Sequence, residues 1–423
     1  MRNTPFWWIL IGFMLLLDIY FFQALKAVSH SASGRTKAII YGSYWTLSVA
    51  AIVILLLLPY INFEKQAKLL RTTIFALIAA LFFAKLIASL FFLIDDIRRA
   101  VQWVAGKLFI SKKEVGDIPS VEGISRSAFL SWAGMIAGGG LFGSLLYGFG
   151  NKYNYQVRRM KLNFSNLPVG FKGLKIVHFS DIHSGSFTNK DAVMKGVYKI
   201  MKEKPDLILF TGDLVNNHAD EMENYMDVFN QLNAPLGVYS TLGNHDYGDY
   251  AKWDNAEDKK ANFEKLKEVH SLLGWRLLMN EHVILEKDSQ VAGEVSDKIA
   301  VIGVENWSNK ANFPKYGDLK KAYSGAELHL FKILLSHDPS HWKTEVLEQY
   351  PDIDLMLAGH THGMQFGVEI PGFKWSPVQY VYKEWAGLYG KDRQKLYINR
   401  GFGFLGYPGR VGILPEITVI ELG

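Results

Sequence analysis

Lys175-Ile176-Val177-His178-Phe179-Ser180-Asp181-Ile182-His183 is an apolar run that stops on two side chains able to bind a metal ion. Its shortness, its Ile and Val content and its polar close are those of a buried strand. Similar runs recur at Asp206–Thr211, Val238–Leu242, Ile299–Val304, Lys332–Ser336 and Asp354–Ala358. Between some of them lie Asp191–Lys204, Asp220–Leu232 and Phe263–Leu273, where apolar residues return every three or four positions, as on one face of a helix. Strands interleaved with helices predict a layered α/β core.

Five of these runs end on ligand chemistry: Asp181 and His183, Gly212-Asp213, Gly243-Asn244-His245-Asp246, His337, and Gly359-His360-Thr361-His362. The C-terminal ends of strands in an α/β sheet are where ligands bind. Residues two apart on an extended chain project to one side, so Asp181 and His183 can address one ion, while His360 and His362 can diverge toward two. Glycine before Asp213, Asn244 and His360 permits a sharp turn and a close backbone approach. Carboxylate, amide oxygen and imidazole together suit manganese, iron or zinc better than calcium. The set reads as two divalent metal ions sharing a carboxylate. The chain has no cysteine, which excludes disulfides, thiolate nucleophiles and thiolate zinc sites.

Upstream the character changes. The 423-residue chain has a mean hydropathy of +0.05, an average over two unlike parts. Residues 1–150 hold four apolar segments, at 6–28, 39–61, 72–94 and 128–149, each near the length that crosses about 30 Å of hydrocarbon as a helix. They predict a multi-pass integral membrane protein, with 151–173 as connector and opening strand and 174–423 as the globular domain. The net charge of +5 is modest and its basic residues gather near the apolar segments, which argues for membrane topology and against nucleic acid. Arg98, Arg99, Lys107, Lys112, Lys113 and Arg126 between the third and fourth segments favour a cytoplasmic loop there and an extracytoplasmic C-terminal domain. Lys152, Arg158, Arg159 and Lys161 pull the other way, and the domain is cytoplasmic if the fourth segment, with Gly138-Gly139-Gly140 at its middle, does not span. Trp7, Trp8, Tyr41, Tyr44, Trp45 and Tyr60 stand near segment ends, as interfacial anchors do and as plain lipid-contacting residues also do.

In order and content the five blocks resemble the calcineurin-like metallophosphoesterase family, in particular its branch with N-terminal membrane segments, over roughly residues 170–423. The resemblance implies a four-layer α/β/β/α sandwich. It also implies Asp181, His183 and His362 as ligands of one metal, Asp213 as the shared carboxylate, and Asn244, His337 and His360 as ligands of the other. His245 is then the histidine beside the site and Asp246 the residue that orients it; an imidazole there can donate a proton to the leaving oxygen or stabilise the charge developing on it. Asn216 stands where the family often has an aspartate, and Met364 where this branch often has a glycine. Neither is a ligand position, so both bear on pocket shape alone. The close Asn399-Arg400-Gly401-Phe402-Gly403, with Pro408, Arg410, Pro415 and Glu416, also resembles the membrane-anchored branch. Arg400 or Arg410 is then a candidate for a substrate phosphate.

The expected activity is hydrolysis of a phosphoester or phosphodiester by metal-activated hydroxide, on a lipid-linked or membrane-proximal substrate. An alternative is a pyrophosphatase of the kind that cleaves UDP-2,3-diacylglucosamine in lipid A synthesis, which needs a cytoplasmic domain. A third is a non-catalytic binding protein that kept the fold. The partners expected are the lipid bilayer and the phosphoester, with no obligate protein partner evident. His178, His218, His270, His282, His329 and His341 read as surface or satisfied core residues, and Phe402, Phe404 and Tyr407 read equally as core or as a platform for an acyl chain.

Overall fold

The computed structural model describes residues 5–58, 60, 68–109, 126–288, 296–310 and 313–423. They form two compact units, Met1–Tyr147 and Gly148–Gly423.

The helices of the first unit are α1 (Pro5–Val28), α2 (Gly34–Leu57), α3 (Lys68–Phe109) and α4 (Arg126–Gly148). Each contains a stretch long and apolar enough to cross a membrane. Their bounds correct the sequence expectation in two places. α2 starts at Gly34, ahead of Ile39, because Ser33 caps it by accepting from the Thr36 N–H at 3.2 Å. Its expected end at Ile61 lies outside the described residues. α3 runs for 42 residues, well past Ile94. The apolar stretch ends there but the helix does not, since Arg98 and Arg99 pair with Asp95 one turn back at 2.7 and 3.3 Å. The early start of α2 also moves Tyr44 inside the bundle, so it is no interfacial anchor. Trp8 and Tyr60 are exposed, and the side chain of Trp7 lies outside the described residues.

Three helices share a buried polar centre. Lys85 of α3 donates to Ser48 of α2 at 2.7 Å and pairs with Asp18 of α1, while the Tyr44 hydroxyl donates to Asp18 at 3.1 Å. An ionisable group in an apolar bundle persists only when paired. Lys85→Leu is expected to cost roughly 3–5 kcal/mol, because it leaves the Asp18 carboxylate buried without its cation. Unfolding of the full chain by titration with SDS in mixed micelles measures it, and a loss under 1 kcal/mol contradicts it. Of the glycine run in α4, Gly138 alone is packed: a Cβ there would overlap the Ala84 carbonyl, and Gly134 lies likewise against Ala88. Such small-residue pairs let helix backbones approach closely in an apolar medium.

The second unit has two six-stranded sheets. Its strands are β1 (Gln156–Leu162), β2 (Lys175–Phe179), β3 (Leu207–Phe210), β4 (Val238–Ser240), β5 (Arg276–Leu277), β6 (Glu281–Asp288), β7 (Ser296–Gly303), β8 (Lys332–Leu335), β9 (Leu355–Ala358), β10 (Val368–Ile370), β11 (Phe373–Trp375), β12 (Gly387–Lys391), β13 (Gln394–Ile398) and β14 (Glu416–Leu422). One sheet has the order β1-β14-β2-β3-β4-β5, the other β12-β13-β9-β8-β7-β6, and β10-β11 is a separate hairpin. Alternation along each strand builds the layers. Ile176, Leu207 and Leu209 meet Ile333, Leu335, Leu355 and Leu357 between the sheets. Val177, Phe179, Ile208 and Phe210 face outward onto Val193, Val197 and Ile200 of α5 (Lys190–Lys202). Ile302, Leu334 and Met356 pack against Leu319, Trp342 and Val346 on the far side. The result is an α/β/β/α sandwich. The helix expected over Asp220–Leu232 is two short turns, Ala219–Met222 and Met226–Phe229.

Candidate metal centre

β2, β3 and β4 run parallel in one sheet and β8 and β9 in the other, so all five deliver their closing residues to one edge. The turns off these strands are unusual. Asp181, His183, Asp213, His360 and His362 all adopt positive φ, between 49° and 71°. Non-glycine residues held there cost about 1–3 kcal/mol each and gather where function over-determines the backbone. Gly212 has φ 91° and a Cβ on it would strike Gly243, whereas Gly243 and Gly359 are needed for space: side-chain carbons there would collide with the carboxylates of Asp213 and Asp181.

The ligand atoms converge. His362 Nε2 lies 3.2 Å from Asp181 Oδ1 and 3.1 Å from His183 Nε2. His337 Nε2 lies 3.2 Å from Asp213 Oδ2 and 3.3 Å from His360 Nδ1, which is 2.9 Å from Asn244 Oδ1. Asp213 Oδ2 is also 3.4 Å from His183 Nε2, so this carboxylate stands between the two groups. Asp181, His183 and His362 form one compact set, and Asp181, Asp213 and His337 another. Asp181 thus approaches both groups, whereas the family resemblance assigns it to one.

The donor set fits a cation. Two imidazole nitrogens facing each other at 3.1 Å have room for one proton between them, and a metal ion serves both lone pairs. Burial opposes ionisation of Asp181 and Asp213, yet neighbouring histidines, His362 for the first and His337 for the second, hold both carboxyls well below the usual range. Burial in turn opposes the charge on His337, but Asp213 and Asp181 raise it to about 10. The site therefore demands positive charge. The His337 Nδ1–H donates to the Thr211 carbonyl at 2.7 Å, which leaves Nε2 facing the centre. His360 Nε2 meets the Tyr382 hydroxyl at 3.0 Å, which frees Nδ1 for the centre.

Three expected roles change. Asp246 does not touch His245: it accepts from the backbone N–H groups of Asp213, Leu214 and Gly243 at 2.8 Å and of Val215 at 3.3 Å, fixing the turns that carry Asp213 and Asn244. Burial and the Asp213 charge push its carboxyl up to about 7, against the N–H groups that favour the anion. His245 is held instead by Asn216, whose carbonyl accepts from Nδ1 at 2.8 Å. Arg400, 3% exposed, is spent on Glu369 at 2.7 Å and on Glu416. Arg410, fully buried, donates to the Arg400 carbonyl at 2.7 Å and to the carbonyls of Gly401, Gly403 and His362. Neither arginine lines the pocket, so neither is placed to take a phosphate; Arg410 ties down the loop beside His362. Phe402 and Phe404 are core residues and form no platform. His341 is bonded to Ser336 and stacked on Trp307, and His178 is bonded to Thr211.

The pocket over these ligands holds about 250 Å³. His183, Asp213, Asn244, His245, His360 and His362 face it, and Phe313, Met364, Val378, Val381, Tyr382 and Leu405 wall it. Met364 takes φ 50°, the region a glycine would occupy freely. Tyr382 and the Val378–Val381 wall carry no motif, so only the fold reveals them.

A family model described as calcineurin-like phosphoesterase matches residues 174–364, and one described as the transmembrane domain of a probable calcineurin-like phosphoesterase matches residues 1–151. "Transmembrane protein with metallophosphoesterase domain" from Danio rerio is 30% identical over 267 residues, 62% of this chain, which spans only 56% of that relative's length. "UDP-2,3-diacylglucosamine pyrophosphatase LpxG" from Chlamydia trachomatis is 29% identical over 290 residues, 58% of this chain and 84% of that one. "Uncharacterized metallophosphoesterase YkuE" from Bacillus subtilis is 30% identical over 308 residues, 71% of this chain and 98% of its own. That near-complete match, with family models covering the membrane part and the strand ends alike, settles the assignment: the chain belongs to the calcineurin-like phosphoesterase family.

Proposed function

We propose that the protein is a membrane-anchored, metal-dependent phosphoesterase that hydrolyses phosphate esters at the centre formed by Asp181, His183, Asp213, Asn244, His337, His360 and His362. The observation that carries this reading is the convergence of their donor atoms under one pocket with His245 at its wall. Asp181, His183 and His362 would hold one divalent ion, Asn244, His337 and His360 the other, with Asp213 between them. Such ions, manganese, iron or zinc, polarise a phosphoryl oxygen and lower the pKa of water. The protein supplies the rest. His245, with Nδ1 committed to Asn216, has Nε2 left to give a proton to the departing oxygen. Asp246 keeps the turns bearing Asp213 and Asn244 in register. No protein nucleophile is required.

The test is to reconstitute the full chain in detergent with manganese or zinc and assay bis-para-nitrophenyl phosphate. Hydrolysis that a chelator abolishes is expected; no hydrolysis with either metal overturns the reading.

Charge distribution supports an extracytoplasmic catalytic unit. With α1, α2 and α3 spanning, Lys26, Arg35 and Lys37 fall on the same side as Arg98, Arg99 and Lys107, against Lys68 and Arg71 opposite among the described residues. Lys152, Arg158, Arg159 and Lys161, just after α4, are the basic residues that weigh against it. The second reading, a UDP-2,3-diacylglucosamine-type pyrophosphatase, is favoured by the similarity to LpxG and requires the opposite sidedness. Protease added to intact cells separates them: cleavage within residues 151–423 supports the first, and full protection the second.

A further inference from the structure

We propose that the mouth of the pocket docks on the bilayer through the β10-β11 hairpin, so that the phosphoester is taken from the membrane surface; this rests on the phosphoesterase reading above. Glu369 and Lys374 are cross-strand partners on one face, and both charged ends are engaged within the unit, although Lys374 stays exposed: Glu369 binds Arg400 and Arg158, and Lys374 donates to the Ala386 carbonyl at 2.5 Å and to the Tyr389 hydroxyl at 3.0 Å. The other face carries Val368, Ile370, Phe373 and Trp375, of which the first three are 45%, 58% and 54% exposed. A solvated hairpin puts its polar face to water. Here the charged groups are held by partners in the unit while Val368, Ile370 and Phe373 are presented to solvent, which marks an interaction surface.

That surface adjoins the pocket. Met364, 52% exposed, and Val381, 52% exposed, belong both to the pocket wall and to the flanks of the hairpin, and Tyr380 beside them is 77% exposed. An amphipathic tyrosine at such a rim suits the interfacial zone of a bilayer.

The occupant follows from where the membrane anchor joins. The second unit begins at Gly148, whose carbonyl accepts from the Arg410 N–H at 2.9 Å, and the ring of Phe149 packs on Tyr407 with centroids 5.4 Å apart. The same loop continues to the hairpin, with Val411 donating to the Gln365 carbonyl at 2.8 Å and Gly367 to the Val411 carbonyl at 2.9 Å. Leu405, two residues before Tyr407, lines the pocket. Anchor attachment, pocket mouth and apolar hairpin thus share one edge of the unit. The chain runs from that edge directly into the apolar helix α4, which makes a bilayer the occupant this proposal commits to. The pocket volume of about 250 Å³ admits a phosphate head and not the chains of a lipid, which stay in the membrane.

The absence of cysteine makes the test direct. Ile370→Cys, Phe373→Cys and, as a control on exposed α5, Tyr198→Cys are each spin-labelled in the full chain reconstituted in phosphatidylcholine–phosphatidylglycerol vesicles. Labels at 370 and 373 are expected to be open to oxygen and shielded from a nickel chelate, with the reverse at 198. Labels at 370 and 373 that behave like the one at 198 overturn the proposal, as does strong spin–spin broadening at 373, which would assign the face to a second copy. The double variant Ile370→Asp, Phe373→Asp is expected to hydrolyse bis-para-nitrophenyl phosphate within about twofold of wild type while losing about tenfold or more on a phosphoester lipid carried in the vesicles. Equal loss on both esters, or on neither, overturns it. Wild-type protein that cleaves no ester sinks the phosphoesterase reading, and the labels still decide the docking.

Discussion

Asp213→Ala is expected to lose metal and turnover together. Its Oδ2 lies 3.2 Å from His337 Nε2 and 3.4 Å from His183 Nε2, so it faces an imidazole of each assigned ligand group, and more closely than Asp181, which is 4.0 Å from His337 Nε2. Its Oδ1 accepts the His245 N–H at 2.8 Å, so the same change also frees the turn that carries Asn244 and His245. Removing this carboxylate leaves His183 and His337 facing each other across a gap with less negative charge to hold a cation. Metal content of the purified full chain, measured by mass spectrometry after dialysis, should fall below one ion per chain, and turnover should drop by about 10³-fold or more. Retention of two ions per chain with wild-type turnover would remove Asp213 from the shared position.

His245→Ala is expected to separate what Asp213→Ala joins. The contact between residue 245 and Asp213 is made by the backbone N–H, which alanine keeps, so metal content should not change. The imidazole is lost, and with it the proton donor, at a cost of about 10²- to 10⁴-fold in turnover. The leaving group supplies the control. An alkyl phosphate expels a basic oxygen and needs the proton, whereas para-nitrophenolate departs as a stable anion. The deficit should therefore be far larger on the alkyl ester. An equal deficit on both esters would show that His245 positions or binds and does not protonate. Asn216→Ala keeps the carbonyl that holds Nδ1 and should be nearly neutral by the same assay.

The candidate donor set was legible because each of its residues closely follows a strand whose own residues announce it. Val177, Phe179, Ile208, Phe210, Leu335 and Leu357 are all fully buried, and a run that must stop being apolar at the sheet edge marks that edge in the sequence. What escaped were interactions between groups distant in the chain. Nothing next to Asp246 says that its carboxylate is filled by backbone N–H groups from Asp213 to Val215, and adjacency to His245 suggested the wrong partner. Arg400 and Arg410 looked free because Glu369, which pairs with Arg400, sits on a three-residue strand too short for a periodic signal, and because the partners of Arg410 are main-chain carbonyls and the His362 Nδ1 48 residues away, which no sequence displays. Hydropathy located where α3 stops being apolar, and its 42 residues continue because charged side chains can pair along a helix as well as end one.

The left-handed turns at Asp181, His183, Asp213, His360 and His362 have a consequence outside the chemistry. Without bound ions they hold strain, and the closely spaced carboxylates of Asp181 and Asp213 have only the neighbouring histidines to compensate them, so the loops at that edge are expected to be the first part of the second unit to open. Ions that bind only the closed form withdraw chains from the opened population in proportion to their free concentration. Quality-control proteases act on that population. The lifetime of the protein in the cell should then rise and fall with the supply of its metal, making its abundance a record of metal status independent of how fast it works.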